Sequence, residues 1–221
     1  MRHVSTWSLR SCAGSALATI ASGLALTSAA LADDCSKDVS AAFEKQRASK
    51  AFRVAMDQGT VEGPVKMTVD YIPPGRMLQT VVGKHMPGEQ QTMFVDGRAF
   101  AGTSGSFEEL LPQFSQSISA EVSAAVSAPQ KLGVFECLGK AAFEGKDYVA
   151  YRTSDKAAAG AADGAETLAR TIYVDPASGL PALNVVAALS GKGDPVLKIV
   201  YSYPTDIVIE VPQNAPVQKS P

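Results

Sequence analysis

The chain has 221 residues, a formal net charge of −2, 46% hydrophobic residues and 19% charged residues. A length in this range suits one folded domain. No basic patch or stripe stands out along the sequence, which argues against nucleic acid as a partner.

Residues 1–32 have the pattern of a secretory signal peptide. Arg2 and Arg10 form a positively charged start, the run from Ala13 to Leu31 carries no charge, and Ala30-Leu31-Ala32 is an A-x-A cleavage site. The alternative is an uncleaved anchor helix, because the apolar run is about long enough to span a bilayer. Its Gly and Ser content and its small-residue end favour cleavage. We find no other segment that could span a membrane, so we expect no stable span after cleavage.

Two cysteines remain beyond the predicted signal, Cys35 and Cys137. An even pair in an exported chain predicts a disulfide bond. One alternative is two free thiols. Another is lipidation of Cys35, although Ala32-Asp33-Asp34 is a poor match to the small, apolar residues that such processing needs.

The sequence after the signal predicts a helix and then a strand. Val39, Ala42 and Phe43 recur at helical spacing, which predicts a helix from Ser36 to about Lys50. Phe52, Val54 and Met56 then alternate, which is typical of a strand.

Two consecutive β-hairpins are predicted between Val61 and Ala101. Apolar residues alternate along the segments, and clusters of Gly and Pro bound them. Asp96-Gly97 is a strong hairpin signal, because both central residues of a type I′ turn need a positive φ. The predicted strands are Val65–Tyr71, Met77–Val82, Gln91–Val95 and Arg98–Ala101.

The period changes between Ser106 and Val126, where apolar residues recur every three or four positions and predict an amphipathic helix. Ser106 with Glu109 three residues later fits a capping box. Pro112 lies inside the pattern and would kink or restart the helix. This segment is interpreted either as an ordinary helix packed on the sheet or as a lid.

Strands return after Val134, and a last short strand is expected where Ile207, Ile209 and Val211 alternate. Ser154–Glu166 is predicted to be a flexible loop, and residues 212–221 a disordered, Pro-rich tail. About ten strands joined mostly by hairpins, with helices beside them, predict an α+β fold with an antiparallel sheet. The later predicted strands are Val134–Phe143, Tyr148–Arg152, Leu168–Val174, Leu183–Leu189 and Val196–Tyr203.

The order of these elements resembles the LolA/LolB-type lipoprotein-carrier superfamily. The segments that carry the resemblance are Val69-Asp70-Tyr71-Ile72-Pro73-Pro74-Gly75-Arg76-Met77, Phe94-Val95-Asp96-Gly97-Arg98-Ala99-Phe100, Gly105-Ser106-Phe107, and Tyr201-Ser202-Tyr203 with Val208-Ile209-Glu210-Val211-Pro212. It implies one domain over residues 33–211. That domain would be a curved antiparallel sheet forming an open half-barrel, with helices packed on its concave face. It also implies a periplasmic location.

The resemblance implies a binding site for a lipid or a lipoprotein acyl chain, in a carrier or a sensor. Pliable methionines and strands that are apolar on both faces agree with this expectation. The alternative is an envelope protein-interaction module without a small ligand. We expect a monomer. The candidate ligand-binding residues are Phe52, Val54, Met67, Val69, Tyr71, Arg76, Met93, Val95, Phe107 and Phe114.

Catalysis is not expected from this sequence. His85 is the one histidine beyond the predicted signal, and it lies in a polar link. The carboxylates that acid–base work would need, such as Asp70 or Glu136, have no visible partner. The sequence has no G-x-S-x-G elbow, no H-E-x-x-H and no His/Cys cluster. We therefore expect no enzyme, no cofactor and no metal site.

Overall fold

The structure is a computed structural model that describes residues 28–61, 63–127, 132–154 and 167–218. Within these ranges it has two helices, α1 (Ser28–Arg47) and α2 (Pro112–Val126). The strands are β1 (Phe52–Thr60), β2 (Gly63–Ile72), β3 (Arg76–Gly83), β4 (Gln90–Val95), β5 (Arg98–Thr103), β6 (Ser106–Glu109), β7 (Glu136–Phe143), β8 (Lys146–Ser154), β9 (Leu168–Val174), β10 (Pro181–Ala188) and β11 (Leu197–Ser202).

The strands form one 11-stranded sheet in the order β6-β5-β4-β3-β2-β1-β11-β10-β9-β8-β7, and every strand pair is antiparallel. The sheet is open, since β6 and β7 are its two ends. The predicted α+β fold, a curved antiparallel sheet with helices packed on its concave face, is confirmed.

The hairpin predictions between Val61 and Ala101 are also confirmed. Asp96 and Gly97 have φ values of 52° and 79°, as a type I′ turn requires. The alternation of apolar residues sets which face each side chain takes. Met77 and Phe94 lie directly opposite each other, so they share one face, and their neighbours Leu78 and Met93 share the other.

Both helices pack on the face that carries Phe52, Met77 and Phe94, which we call the helix-bearing face. Around α1, the apolar core contains Val39, Phe43, Tyr151 and Ile172 with other buried residues. The predicted disulfide is present: Cys35 in α1 is bonded to Cys137 in β7. It fastens the first half of α1 to the end strand of the sheet.

The predicted helix over Ser106–Val126 is partly wrong. Ser104 and Gly105, with φ values of 50° and 86°, turn the chain back, and Ser106–Glu109 pairs with β5 as β6. Gly102 permits this tight return, because a Cβ there would lie 2.1 Å from the Ser106 carbonyl oxygen. The helix begins at Pro112, where a missing N–H costs nothing. The capping box is therefore wrong, and Leu111 holds the cap position without a side-chain hydrogen bond.

The predicted last strand is wrong, because residues 207–211 belong to no strand of the sheet. Residues 203–218, which include the described part of the predicted tail, form one segment that we call the C-terminal strap. Ile207, Ile209 and Val211 pack with Met93, Val95 and Phe100 on the face opposite the helices. They alternate because the segment is extended and half-buried, but they form no strand ladder. Near its end the strap pairs with the β6 edge, where the Glu109 N–H donates to Pro216 O and the Gln218 N–H donates to Glu109 O, both at 2.8 Å.

Three predictions fall wholly or partly outside the described residues. These are the signal peptide over residues 1–32, of which residues 28–32 belong to α1, most of the loop Ser154–Glu166, and residues 219–221 of the tail. No helix within the described residues is long and apolar enough to cross a membrane.

Candidate functional site

A row of half-buried apolar side chains on the helix-bearing face is the candidate site. Helix α1 packs chiefly on β7, β9 and β10, and α2 packs on β4 and β5, whereas β1, β2 and β11 lie between them in the sheet. The strand register brings five half-buried apolar side chains together here, and we call this set the central groove. Its members are Val54, Met56, Met67, Val81 and Ile199.

One wall of the central groove is the cluster under α2. Phe52 and Val69 are buried there with Val122 and Val126 of the helix. The rings of Phe52 and Tyr71 are stacked, with centroids 4.9 Å apart. Five predicted ligand-binding residues thus lie on one continuous surface: Phe52, Val54, Met67, Val69 and Tyr71.

The other predicted site residues lie elsewhere. Met93, Val95 and Phe107 pack with the C-terminal strap on the opposite face. Phe114, on α2, is 49% exposed. The guanidinium of Arg76 donates to Ile209 O at 3.0 Å and pairs with Asp96 at 3.1 Å, so it holds the strap.

Three polar residues of the helix-bearing face escaped the sequence analysis. Arg47 Nη1, Arg170 Nε and Asn184 Oδ1 are buried and have no hydrogen-bond partner among the residues that the structure describes. A buried polar group without a partner costs about 1 to 3 kcal/mol, and a charged group costs more. One signal in the sequence was available along β9. Arg170 lies two residues before Ile172 and four before Val174, so all three side chains share the face that packs against α1.

Tyrosine hydroxyls complete the polar lining near the groove. Burial raises the pKa of Tyr201, while a hydrogen bond from Asn184 and the charge of Arg170 oppose that rise. Burial also raises the pKa of Tyr203, whose hydroxyl donates to Pro181 O at 2.8 Å. Both hydroxyls are therefore neutral at physiological pH and serve as hydrogen-bonding groups.

The groups considered for acid–base chemistry lie outside the central groove. Asp70 is held by Arg53 through two hydrogen bonds of 2.6 and 2.9 Å, and Glu136 pairs with Arg152 at 2.7 Å. His85 is exposed in the link between β3 and β4. Within the described ranges, no group of three or more His, Cys, Asp or Glu side chains could hold a metal ion.

A depression of about 510 Å³ lies over β4, β5 and β6, with Val81 at its margin. Its lining mixes amides, hydroxyls and a carboxylate with few apolar groups, so it suits water or a polar group better than an acyl chain. The lining residues are Val81, Gln90, Gln91, Thr92, Ala101, Gly102, Thr103, Ser106 and Glu108.

No protein-family model and no curated protein sequence matches this chain. Among solved structures, it is similar to LprF from Mycobacterium bovis, with 11% identity, a TM-score of 0.46, and coverage of 81% of this chain and 97% of that one. It is also similar to the LolA superfamily protein NE2245 from Nitrosomonas europaea, with 11% identity, a TM-score of 0.28, and coverage of 78% and 91%.

A chain of the Pseudomonas aeruginosa MucA/MucB complex is a third match, with 11% identity and a TM-score of 0.41, covering 78% of this chain and 59% of that one. All three likenesses are below a TM-score of 0.5 and none assigns a function. The functional argument therefore depends on the central groove itself.

Proposed function

We propose that this chain is an exported periplasmic protein that binds a hydrophobic ligand, a lipid or a lipoprotein acyl chain, in the central groove. It would act as a carrier or a sensor of that ligand. The observation that carries the proposal is the row of half-buried apolar side chains, Met56, Met67, Val81 and Ile199, left between two helices that pack on the same face.

The chemistry of the row supports an acyl chain. Apolar area that folding leaves half-exposed still gains about 25 cal/mol per Å² when a ligand removes it from water. Two of the side chains are methionines, whose flexible thioethers adapt to ligands of variable shape. The stacked pair Phe52 and Tyr71 gives the groove one rigid wall.

The first experiment is native mass spectrometry of the protein purified from an exporting host, followed by organic extraction. We expect a bound lipid of defined mass, and a chain that lacks residues 1–32. An empty protein that also fails to bind a fluorescent acyl probe would contradict the proposal.

Val81 and Val82 provide a matched pair of variants. They are neighbours on β3 and point to opposite faces, Val81 into the central groove and Val82 outward with 44% exposure. Val81→Gln should weaken binding of an uncharged acyl probe about fivefold, since part of a valine's burial is lost. Val82→Gln should leave binding unchanged. Equal effects of the two changes would remove the groove as the site.

A second candidate function is a protein-interaction module of the envelope. It is favoured by β7, an end strand whose Glu136–Lys140 segment is exposed, with Leu138 at 40%. An exposed edge of this kind can receive an added strand from a partner. Co-purification of a stoichiometric protein with a lipid-free chain would favour this function over the first.

A further inference from the structure

The arginines of the described residues fall into two groups. Arg47 and Arg170 are the two that form no ion pair within those residues, and both belong to the helix-bearing side of the molecule. The other four form ion pairs with acidic side chains: Arg53 with Asp70, Arg76 with Asp96, Arg98 with Glu109, and Arg152 with Glu136.

The two unpaired arginines are not simply exposed charges. Each is half-buried, and within the described part of the chain Arg47 Nη1 and Arg170 Nε have neither solvent contact nor a hydrogen-bond partner. Asn184 Oδ1 shares this condition. Buried polar atoms of native proteins are almost always hydrogen-bonded, so each exception calls for an explanation.

The position of Arg170 relates it to the central groove. In the register, Arg170 lies opposite Val186, and Asn184, two residues earlier on β10, lies opposite Ile199 of the groove. Side chains two residues apart on a strand lie on the same face. Arg170 and Asn184 therefore belong to adjacent cross-strand pairs on the helix-bearing face.

Arg47 approaches the same region from the helix. It follows Phe43 by four residues, which puts both on one side of α1. The Phe43 ring contacts the Tyr201 ring at a centroid distance of 5.8 Å, and Tyr201 lies opposite Val54 of the groove. Arg47 therefore lies one turn beyond Phe43, on the side of α1 that faces the sheet.

Guanidinium groups present a planar fork of N–H donors that matches the oxygens of a carboxylate or a phosphate. An apolar row accompanied by two such groups without acidic partners fits an amphiphile with an anionic end. We propose that Arg47 and Arg170 bind the anionic head group of an acyl ligand whose chain lies in the central groove. This inference depends on the acyl-binding function proposed above, and it specifies the ligand class.

The test uses the full chain and two probes, a fluorescent long-chain fatty acid and its methyl ester. The wild type should bind the acid about tenfold or more tightly than the ester, since charge-assisted hydrogen bonds are worth this much. Arg47→Gln and Arg170→Gln should each weaken binding of the acid by about tenfold and leave the ester within about twofold. The matched control is Arg152→Gln, which removes an arginine already paired with Glu136.

The outcomes separate the two proposals. If the wild type binds the acid and the ester equally well, the head-group inference is wrong and the acyl-binding function stands. This comparison does not depend on the folding of any variant. Binding of neither probe would reject the proposed function itself. Inorganic phosphate serves as a competitor: if it binds as tightly as the acid, the site recognises a free anion, and the amphiphile inference is wrong.

Discussion

The C-terminal strap leads to a sharp test of the fold, through the change Ile209→Ala. Ile209 is 1% exposed and packs against Met93, Val95 and Phe100. The change removes about three carbon groups at about 0.8 kcal/mol each, which gives roughly 2.4 kcal/mol before any cavity term. With the cavity, the loss of unfolding free energy should lie between about 2 and 5 kcal/mol.

The assay is urea denaturation of the purified protein, read by circular dichroism, with the free energy obtained from the midpoint and the slope. The control is Val208→Ala, because Val208 is the next residue along the strap and is 70% exposed. That change should stay within about 0.5 kcal/mol of the wild type.

Two results would refute the reasoning. If Ile209→Ala unfolds at the wild-type urea concentration, residues 207–211 do not pack on the sheet. If Ile209→Ala and Val208→Ala lose the same free energy, the strap has no preferred buried side. Either result would contradict the packing of residues 207–211 against Met93, Val95 and Phe100.

Three further predictions concern the disulfide, a turn and a helix. Replacing both Cys35 and Cys137 by Ala should cost about 2 to 5 kcal/mol of unfolding free energy. A reducing agent should lower the urea midpoint of the wild type and leave that of the variant unchanged. Identical midpoints for the oxidised wild type and the variant would contradict this prediction. Hydrogen bonds from Ser178 and Ala177 lower the pKa of Asp175 below its ordinary 3.8. These bonds therefore stabilise the folded protein fully above the ordinary pKa, and this stabilisation is lost as the pH falls through the lowered pKa. Asp175→Ala should therefore be less stable than the wild type near pH 7, by a difference that shrinks on acidification below about pH 4, and a difference constant with pH would contradict the assignment. Ser115 Oγ accepts a hydrogen bond from the Ala99 N–H at 3.1 Å, so Ser115→Ala should lower the unfolding free energy by about 1 kcal/mol. Ser106→Ala, at the predicted capping box that the structure lacks, should lower it by less than about 0.5 kcal/mol. A larger loss for Ser106→Ala than for Ser115→Ala in thermal melts would favour the capping box.

The strands from Phe52 to Ala101 were predictable because local rules suffice there. Residues alternate in polarity, and Asp96-Gly97 and the Pro-rich turn specify where the chain reverses. The same kind of reasoning failed over Ser106–Glu109, where a short apolar pattern fits a helix and a strand equally well. The positive φ values at Ser104 and Gly105 decided the outcome by turning the segment onto β5.

The candidate site was predictable only in part, for a related reason. Alternation relates Phe52 to Val54, and Met67 to Val69 and Tyr71, within their own strands, but it could not tell whether Met93 and Val95 share a face with them. That required the pairing of β3 with β4, which aligns Phe94 with Met77. Arg47 and Arg170 were missed because they are far apart in sequence, and only the packing of α1 against β9 relates the two elements that carry them.

The sequence by itself determined the elements whose signals are local: most of the strands, the helix that contains Phe43, and an even cysteine pair that predicts the bond from Cys35 to Cys137. Only the tertiary structure decided that the C-terminal strap crosses the sheet and pairs with the β6 edge near residue 217. It alone also decided that Arg47 and Arg170 form no ion pair within the described residues. The physical reason is that period and turn chemistry act over a few residues, whereas burial and ion pairing depend on which distant segments meet.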